Sequence, residues 1–143
     1  MTNDEIRMTN QIPMTNDRMT KPEGTVPAIR DGFDLEERTA RYGEAIIGFA
    51  KRIPVSPVTR CLIEQLVASG TSIGANYGEA NDAESKKDFR HKIGICRKES
   101  KETKHWLRMI ATAVPEMSAD ARKLYQEAKE LNLIFGKIRR STE

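Results

Sequence analysis

Residues 86–110, which read KKDFRHKIGICRKESKETKHWLRMI, decide the fold. Apolar or small residues recur in this stretch at alternating spacings of four and three: Phe89, Ile93, Cys96, Ser100, Thr103, Leu107 and Ile110. A repeat of 3.5 residues is typical of helices that pack lengthwise against one another in bundles. The stretch therefore predicts a long helix with one face in a core.

Three other segments carry the same repeat, and together they predict a bundle. The repeat positions are Leu35, Thr39, Tyr42, Ile46, Phe49 and Ile53; then Leu62, Leu66, Ser69, Ile73, Asn76 and Ala80; and last Ala121, Leu124, Ala128, Leu131, Phe135 and Ile138. Asp34, Ser56 and Ser85 are suited to begin helices, whereas Pro54 and Pro115 end them. No stretch alternates with period two, so no strand is predicted. Short connections favour an all-α, antiparallel up-down-up-down four-helix bundle.

The first residues differ in composition from the rest of the chain. Met-Thr-Asn recurs at Met1, Met8 and Met14, no aromatic residue precedes Phe33, and the charges cancel. Such a segment buries too little apolar area to offset the entropy lost on ordering. We expect a disordered low-complexity tail over residues 1–32 and the bundle over residues 33–140.

Length and composition limit the class of protein. The chain has 143 residues, 38% of them hydrophobic and 31% charged, with a formal net charge of +3. No window approaches the ~18 consecutive apolar residues of a membrane span, and the N-terminus has no secretory signal pattern. Cys61 and Cys96 form no CxxC motif. We expect one soluble cytoplasmic domain with reduced thiols.

Four stretches resemble a known family. They are DLEERT at residues 34–39, SGTSIGANYGEA at 69–80, KKDF at 86–89 and KETKHWL at 101–107. In this order and spacing they closely resemble the four-helix-bundle family called 23S rRNA intervening-sequence proteins, which is similar to the accessory proteins of diversity-generating retroelements. The resemblance implies a barrel-like homopentamer with a basic surface that can engage nucleic acid. The family name describes where some of the genes lie and establishes no activity.

The second helix contains residues that are unusual inside a helix. Gly70, Gly74 and Gly78 each cost about 1 kcal/mol of helix stability relative to alanine. We expect them to allow close helix approach, within the chain or between copies; a kinked helix is the alternative. Ser69 and Asn76 lie on the seam, where buried polar groups need partners, and the seam residues Ser100 and Thr103 of the third helix could supply them. We expect them to form a core polar network that Glu79 joins, with a ligand site as the alternative.

The third helix is strongly basic on one face. Residues 86–110 contain nine basic and three acidic side chains. Six of the basic ones share two adjacent heptad positions and predict a phosphate-binding face: Lys87, Arg90, Arg97, Lys101, Lys104 and Arg108. No aromatic residue interleaves this face to stack bases. The alternative is an ordinary solvated face supported by pairs such as Lys98–Glu102.

The other flank of the third helix is apolar and suggests self-association. It carries Ile95, Trp106 and Met109 outside the core seam. A helix with two apolar flanks and one basic flank is typical of a protomer that buries more surface by assembling with copies of itself. We expect a homo-oligomer.

Neither metal binding nor catalysis is predicted. Glu102 and His105 have the Glu-x-x-His spacing of di-iron bundles, but such a site needs two of these pairs directed inward. The only histidines, His91 and His105, map to the outward face. No cofactor, small-molecule substrate, metal or catalytic set is expected.

Two hypotheses for function follow. The first is a non-enzymatic homo-oligomer, a pentamer by resemblance, that binds RNA or DNA phosphates through the basic face, with Arg139 and Arg140 adding to it. The second is a protein-interaction scaffold whose basic face docks an acidic partner protein. Binding that survives nuclease treatment would distinguish the second from the first.

Overall fold

A computed structural model describes residues 32–143, of which all but a few belong to helices. The helices are α1 (Gly32–Lys51), α2 (Pro57–Asn81), α3 (Lys86–Ala113) and α4 (Ser118–Ser141), with a 3₁₀ turn at Pro115–Met117. No strand occurs between residues 32 and 143, as predicted. The proposed tail lies outside the described residues, apart from Gly32.

Two of the three predicted N-caps, Ser56 and Ser85, form capping hydrogen bonds at the starts of their helices. The Ser56 hydroxyl accepts the amide of Thr59 at 3.1 Å, and the Thr59 hydroxyl accepts the amide of Ser56 at 2.8 Å. This reciprocal pair is a capping box, and Pro57 follows at the first helical position. The Ser85 hydroxyl accepts the Asp88 amide at 3.0 Å. The predicted cap at Asp34 is wrong, since α1 already begins at Gly32.

The core lies on the predicted seams. The largest fully buried side chains come from all four helices: Ile46, Phe49, Leu66, Ile73, Ile93, Leu107, Ile110, Leu131 and Phe135. Tyr77 and Phe135 bring α2 and α4 together across the bundle, with ring centroids 6.0 Å apart. Burial of such side chains is the main favourable term in folding.

Contacts between neighbouring helices give an antiparallel order. Along α2 and α3, Glu79 meets Lys92 while Ser69 meets Thr103. Along α3 and α4, Asn132 bonds to the Arg97 carbonyl, and Lys104 lies over Tyr125. In both helix pairs the residue numbers rise on one helix as they fall on the other.

The first helix lies against both α2 and α4. Arg38 forms two hydrogen bonds with Glu127, at 2.7 and 2.8 Å, and these bonds raise the pKa of the guanidinium. Tyr42 donates to the Leu124 carbonyl at 2.8 Å, and Arg52 reaches Asp120 at 3.1 Å. These contacts are compatible with the predicted up-down-up-down order of the four helices.

Two of the three glycines in α2 allow α1 to approach closely within one chain. A Cβ atom at Gly70 would lie 2.9 Å from two carbons of the fully buried Ile46. At Gly74 it would lie 3.3 Å from the carbonyl carbon and oxygen of Thr39. Gly78 differs, because among the residues with described side chains a Cβ there would meet only the Glu36 carboxylate, at 3.8 Å. Close packing therefore explains Gly70 and Gly74 but not Gly78.

Asn76 and Glu79 do not join the predicted core network. Asn76 is half-buried and donates to the Ser72 carbonyl at 2.9 Å, one turn back on its own helix. Glu79 is exposed and accepts from Lys92 at 2.6 Å. A seam with a 3.5-residue repeat drifts around a helix of 3.6 residues per turn. By this point the buried position has passed to Tyr77, which is 4% exposed.

Ser69 does bond to Thr103 on α3, one of the seam residues predicted as partners in the network. The Thr103 hydroxyl donates to the Ser69 hydroxyl at 3.0 Å and lies 2.8 Å from the Glu99 carbonyl. Ser69 in turn donates to the Leu66 carbonyl at 3.3 Å. Thr103 and Ser69 are 0% and 2% exposed, so this small polar pair crosses the core between α2 and α3.

Candidate nucleic-acid interface

The basic face predicted on α3 is open to solvent over most of its length. Lys87, Arg97, Lys101 and Arg108 are exposed, and Lys104 is half-buried. Between residues 35 and 143, no acidic side chain forms an ion pair with any of these five. The predicted Lys98–Glu102 pair does not form an ion pair either. The positive charge of this face is therefore mostly not neutralised by ion pairs within the chain.

Arg90 is the exception on this face. It is half-buried, and its Nη2 atom lies 3.9 Å from the Glu143 carboxylate near the end of α4. Its Nε atom is buried with no hydrogen-bond partner. Sequence reasoning missed this contact because Glu143 lies far from Arg90 in the sequence, just beyond the end of α4. Arg90 is thus the member of the predicted set least available to a ligand.

Three members of the predicted set converge on one groove between α3 and α4. We define the basic groove by its lining residues: Gly94, Arg97, Lys98, Lys101, Lys104 and Asn132. Its volume is about 360 Å³. Lys87 and Arg108 lie nearer the ends of α3 and do not line it. The positive charge is therefore concentrated in the middle of the helix.

Two arginines of α4 lie beside the groove. A Cβ atom at Gly94 would be 3.4 Å from Cζ of Arg139. A Cβ atom at Gly136 would be 3.5 Å from Nη1 of Arg140 and 3.6 Å from Nε of Arg97. The absence of a side chain at each glycine leaves room for a guanidinium over the backbone of the neighbouring helix. Arg139 and Arg140 therefore add to the charge, as expected from the sequence.

Asn132 fixes the two walls of the groove in register. Its side-chain amide donates to the Arg97 carbonyl at 2.8 Å and to the Ser100 hydroxyl at 3.2 Å. The Ser100 hydroxyl also bonds to the Arg97 carbonyl, at 2.9 Å. Asn132 therefore joins α4 to the turn of α3 that carries Arg97. Sequence analysis missed this residue, as its role depends on how the two helices align.

An aromatic side chain borders the groove, contrary to the sequence-based interpretation. Tyr125 of α4 is 36% exposed, and the Lys104 Nζ atom lies 5.8 Å from its ring centroid. This distance is close to the ~6 Å limit of a cation–π contact. The earlier interpretation considered α3 alone, and Tyr125 reaches the basic face from α4.

The apolar flank of α3 is partly covered within the single chain. Ile95, Trp106 and Met109 are all half-buried. The indole Nε1 of Trp106 is buried without a hydrogen-bond partner, and its ring contacts His105 edge-on at 4.8 Å. Four aliphatic side chains elsewhere are more exposed: Ile47, Val55, Val58 and Leu133. The role of the α3 flank in assembly stays a prediction.

Comparison with protein families assigns the chain to one of them. The family model described as 23S rRNA-intervening sequence protein matches residues 34–137. This range contains nearly the whole bundle and every residue of the basic groove. The chain belongs to this family.

A solved structure shows the same architecture as this family member. It is a protein of unknown function of the S23 ribosomal protein family from Bacteroides thetaiotaomicron VPI-5482. The two chains are 25% identical and superpose with a TM-score of 0.68. The match covers 76% of this chain and 97% of the other. No curated protein matches the sequence.

The described part of this family member contains neither a metal-binding cluster nor a helix that could span a membrane. Residues 32–143 bring together no group of three His, Cys, Asp or Glu side chains suited to a metal ion. His91 and His105 are both exposed. None of the helices α1–α4 combines the length and the hydrophobicity that a bilayer-spanning segment needs. The basic groove is therefore the site that these residues support best.

Proposed function

We propose that this protein is a non-enzymatic, cytoplasmic, homo-oligomeric protein that binds RNA or DNA through the basic groove. The observation that carries the proposal is the convergence of four cations on one groove: Arg97, Lys98, Lys101 and Lys104. None of them is paired with an acid within residues 35–143. The Lys98 charge interacts with Glu99 on the same helix, but the cluster keeps an excess of positive charge. Such an excess is stabilised by an anion with regularly spaced charges, and a nucleic-acid backbone is such an anion.

The spacing of the cations suits a phosphate backbone. Arg97, Lys101 and Lys104 follow one another at intervals of four and three residues, so they lie on one side of α3. Seven residues of helix rise about 10 Å, which places the three cations in a row along the groove. Because α3 is a regular helix here, the backbone positions of the row are fixed before any ligand binds, while the side chains can still adjust.

Self-association is the second part of the proposal. Support comes from the family resemblance, which implies a homopentamer, and from the half-exposed apolar flank at Ile95, Trp106 and Met109. Association would bury this flank and repeat the basic groove around a ring, which would strengthen its field. Light scattering with and without RNA, across a salt series, measures assembly and binding together. A monomer under all conditions would contradict this part.

Charge reversal tests the binding role. The double variant R97E/K101E places two carboxylates in the groove, and we expect it to lose retention on a nucleic-acid column at low salt. The matched control K51E/R60E changes the net charge by the same amount. Lys51 and Arg60 are exposed and belong to α1 and α2, which do not line the groove. The control should be retained almost as strongly as the wild type.

Two outcomes would count against the proposal. Unchanged retention of R97E/K101E would show that the groove is not the binding surface. An acidic partner protein that still co-purifies after nuclease treatment, and is lost only in R97E/K101E, would assign the groove to protein docking. Circular dichroism of each variant checks that the helices remain intact.

A further inference from the structure

We infer that the groove recognises single-stranded nucleic acid in particular, with Tyr125 stacking on a base while the cations of α3 hold the neighbouring phosphates. This inference rests on the proposed function and makes it specific. It is carried by the contact between Lys104 and Tyr125, which joins the phosphate-binding groove to an exposed aromatic ring.

Tyr125 differs from the other tyrosines of the chain. Tyr42 and Tyr77 are 3% and 4% exposed, and the Tyr42 hydroxyl donates to the Leu124 carbonyl. Tyr125 is 36% exposed, and its hydroxyl forms no hydrogen bond with any residue between 35 and 143. Its ring is the one exposed large aromatic among the residues with described side chains. A core role therefore explains the other two tyrosines but not this one.

Lys104 connects the ring with the groove. Its Nζ atom lies 5.8 Å from the Tyr125 ring centroid, while the same side chain lines the groove beside Arg97, Lys98 and Lys101. At this distance the cation–π attraction is weak, so Lys104 can turn toward a phosphate at little cost. The ring would then be free to stack on the adjacent base.

This geometry favours single-stranded over double-stranded nucleic acid. Proteins that bind single strands combine a basic groove along the backbone with aromatic rings that stack on the bases. In a duplex the bases are already stacked and paired, so a ring on the protein surface reaches only sugars and phosphates. Tyr125 should therefore contribute to binding a single strand and contribute nothing to binding a duplex.

Substitution of Tyr125 separates stacking from charge. Fluorescence anisotropy would measure the affinity of the full chain for three labelled probes: a twelve-nucleotide oligothymidine, an abasic strand of equal length, and a twelve-base-pair duplex. We expect Y125L to weaken oligothymidine binding at least about fivefold, the lower range of one base–aromatic stack. Affinity for the abasic strand and the duplex should stay the same. Y125F keeps the ring and should bind like the wild type.

The remaining outcomes overturn the inference in distinguishable ways. If the wild type binds all three probes and Y125L weakens all of them equally or none of them, the stacking role is wrong and the electrostatic proposal stands. If the wild type binds none of the probes, the proposed function fails and this inference fails with it. L133A, which removes another exposed apolar side chain of α4, serves as the matched control and should leave every affinity unchanged.

Discussion

Arg97 on α3 and Arg140 on α4 both lie beside the backbone of Gly136. A Cβ atom at that glycine would lie 3.6 Å from Nε of Arg97 and 3.5 Å from Nη1 of Arg140. Neither guanidinium forms an ion pair with an acid among residues 35–143. Two like charges beside one glycine repel each other, which raises the energy of the folded protein. The positive charges around the basic groove therefore do not stabilise the fold, and the proposed binding role explains their presence better.

Removing one charge from the groove should stabilise the unbound protein. K101Q takes away an exposed cation that repels Arg97, Lys98 and Lys104, so we expect the free energy of unfolding to rise by a few tenths of a kcal/mol at low salt. The gain should vanish at 1 M salt, where the screening length is about 3 Å. Urea unfolding at both salt concentrations measures this. K51Q, outside the groove, should show no such gain; an equal gain in K51Q would show that net charge alone is responsible.

The glycines of α2 should respond differently to alanine. G70A introduces a methyl group within 2.9 Å of Ile46, and overpacking a core typically costs about 1–3 kcal/mol. Within the described part of the chain G78A meets nothing closer than 3.8 Å, so it should gain up to about 1 kcal/mol from helix propensity. Chemical denaturation of the two variants tests the α1–α2 packing. If G70A were as stable as G78A, the close approach of the helices would be wrong.

The buried hydroxyl pair can be tested by a double-mutant cycle. S69A and T103V each remove one partner of a buried hydrogen bond, at a cost of about 1–3 kcal/mol. The double variant should be less destabilised than the sum of the two, with a coupling of at least about 0.5 kcal/mol. The matched cycle pairs S69A with N76A. It should be additive, because Asn76 bonds to the Ser72 carbonyl instead. Coupling between Ser69 and Asn76 would restore the sequence-based network.

Sequence periodicity predicted the bundle because the spacing of apolar residues within one segment determines which face of its helix is apolar. The seam positions Ile46, Ile93 and Leu131 are all fully buried, and the caps Ser56 and Ser85 depend only on the residues that follow them. Asn76 and Tyr77 show where the method fails. A strict 3.5-residue repeat drifts by about 20° per heptad on a straight helix. Because of this drift, Asn76 is half-buried and its neighbour Tyr77 lies in the core.

The groove could be predicted only in part. The charges of Arg97, Lys101 and Lys104 are visible on one helix. The contributions of Asn132 and Tyr125 depend on how α4 aligns with α3, which heptad spacing does not determine. Gly94 and Gly136 acquire their meaning in the same way, because Arg139 beside Gly94 and Arg97 beside Gly136 each come from the opposite helix. Placing these residues from the sequence would require knowing the register between the two helices.

The two cysteines should differ sharply in reactivity. Cys61 is exposed and Cys96 is buried; burial raises the pKa of the Cys96 thiol to about 12. The thiolate is the reactive form, so a disulfide reagent at pH 8 should modify one thiol quickly in the folded protein and the second only on unfolding. C61S should abolish the fast phase. Two fast thiols in the wild type would contradict the burial of Cys96 between α2 and α3.

The salt dependence of affinity tests the basic groove most directly. For single strands, the logarithm of the binding constant falls against the logarithm of salt concentration with a slope of about −0.7 per phosphate neutralised. We predict that a twelve-nucleotide single-stranded RNA gives a slope corresponding to several phosphates, and that R97E/K101E binds more weakly with a slope smaller in magnitude by at least about 1.4. K51E/R60E should keep the wild-type slope. An unchanged slope and affinity in R97E/K101E, or an equal loss in both variants, would contradict the assignment of the groove.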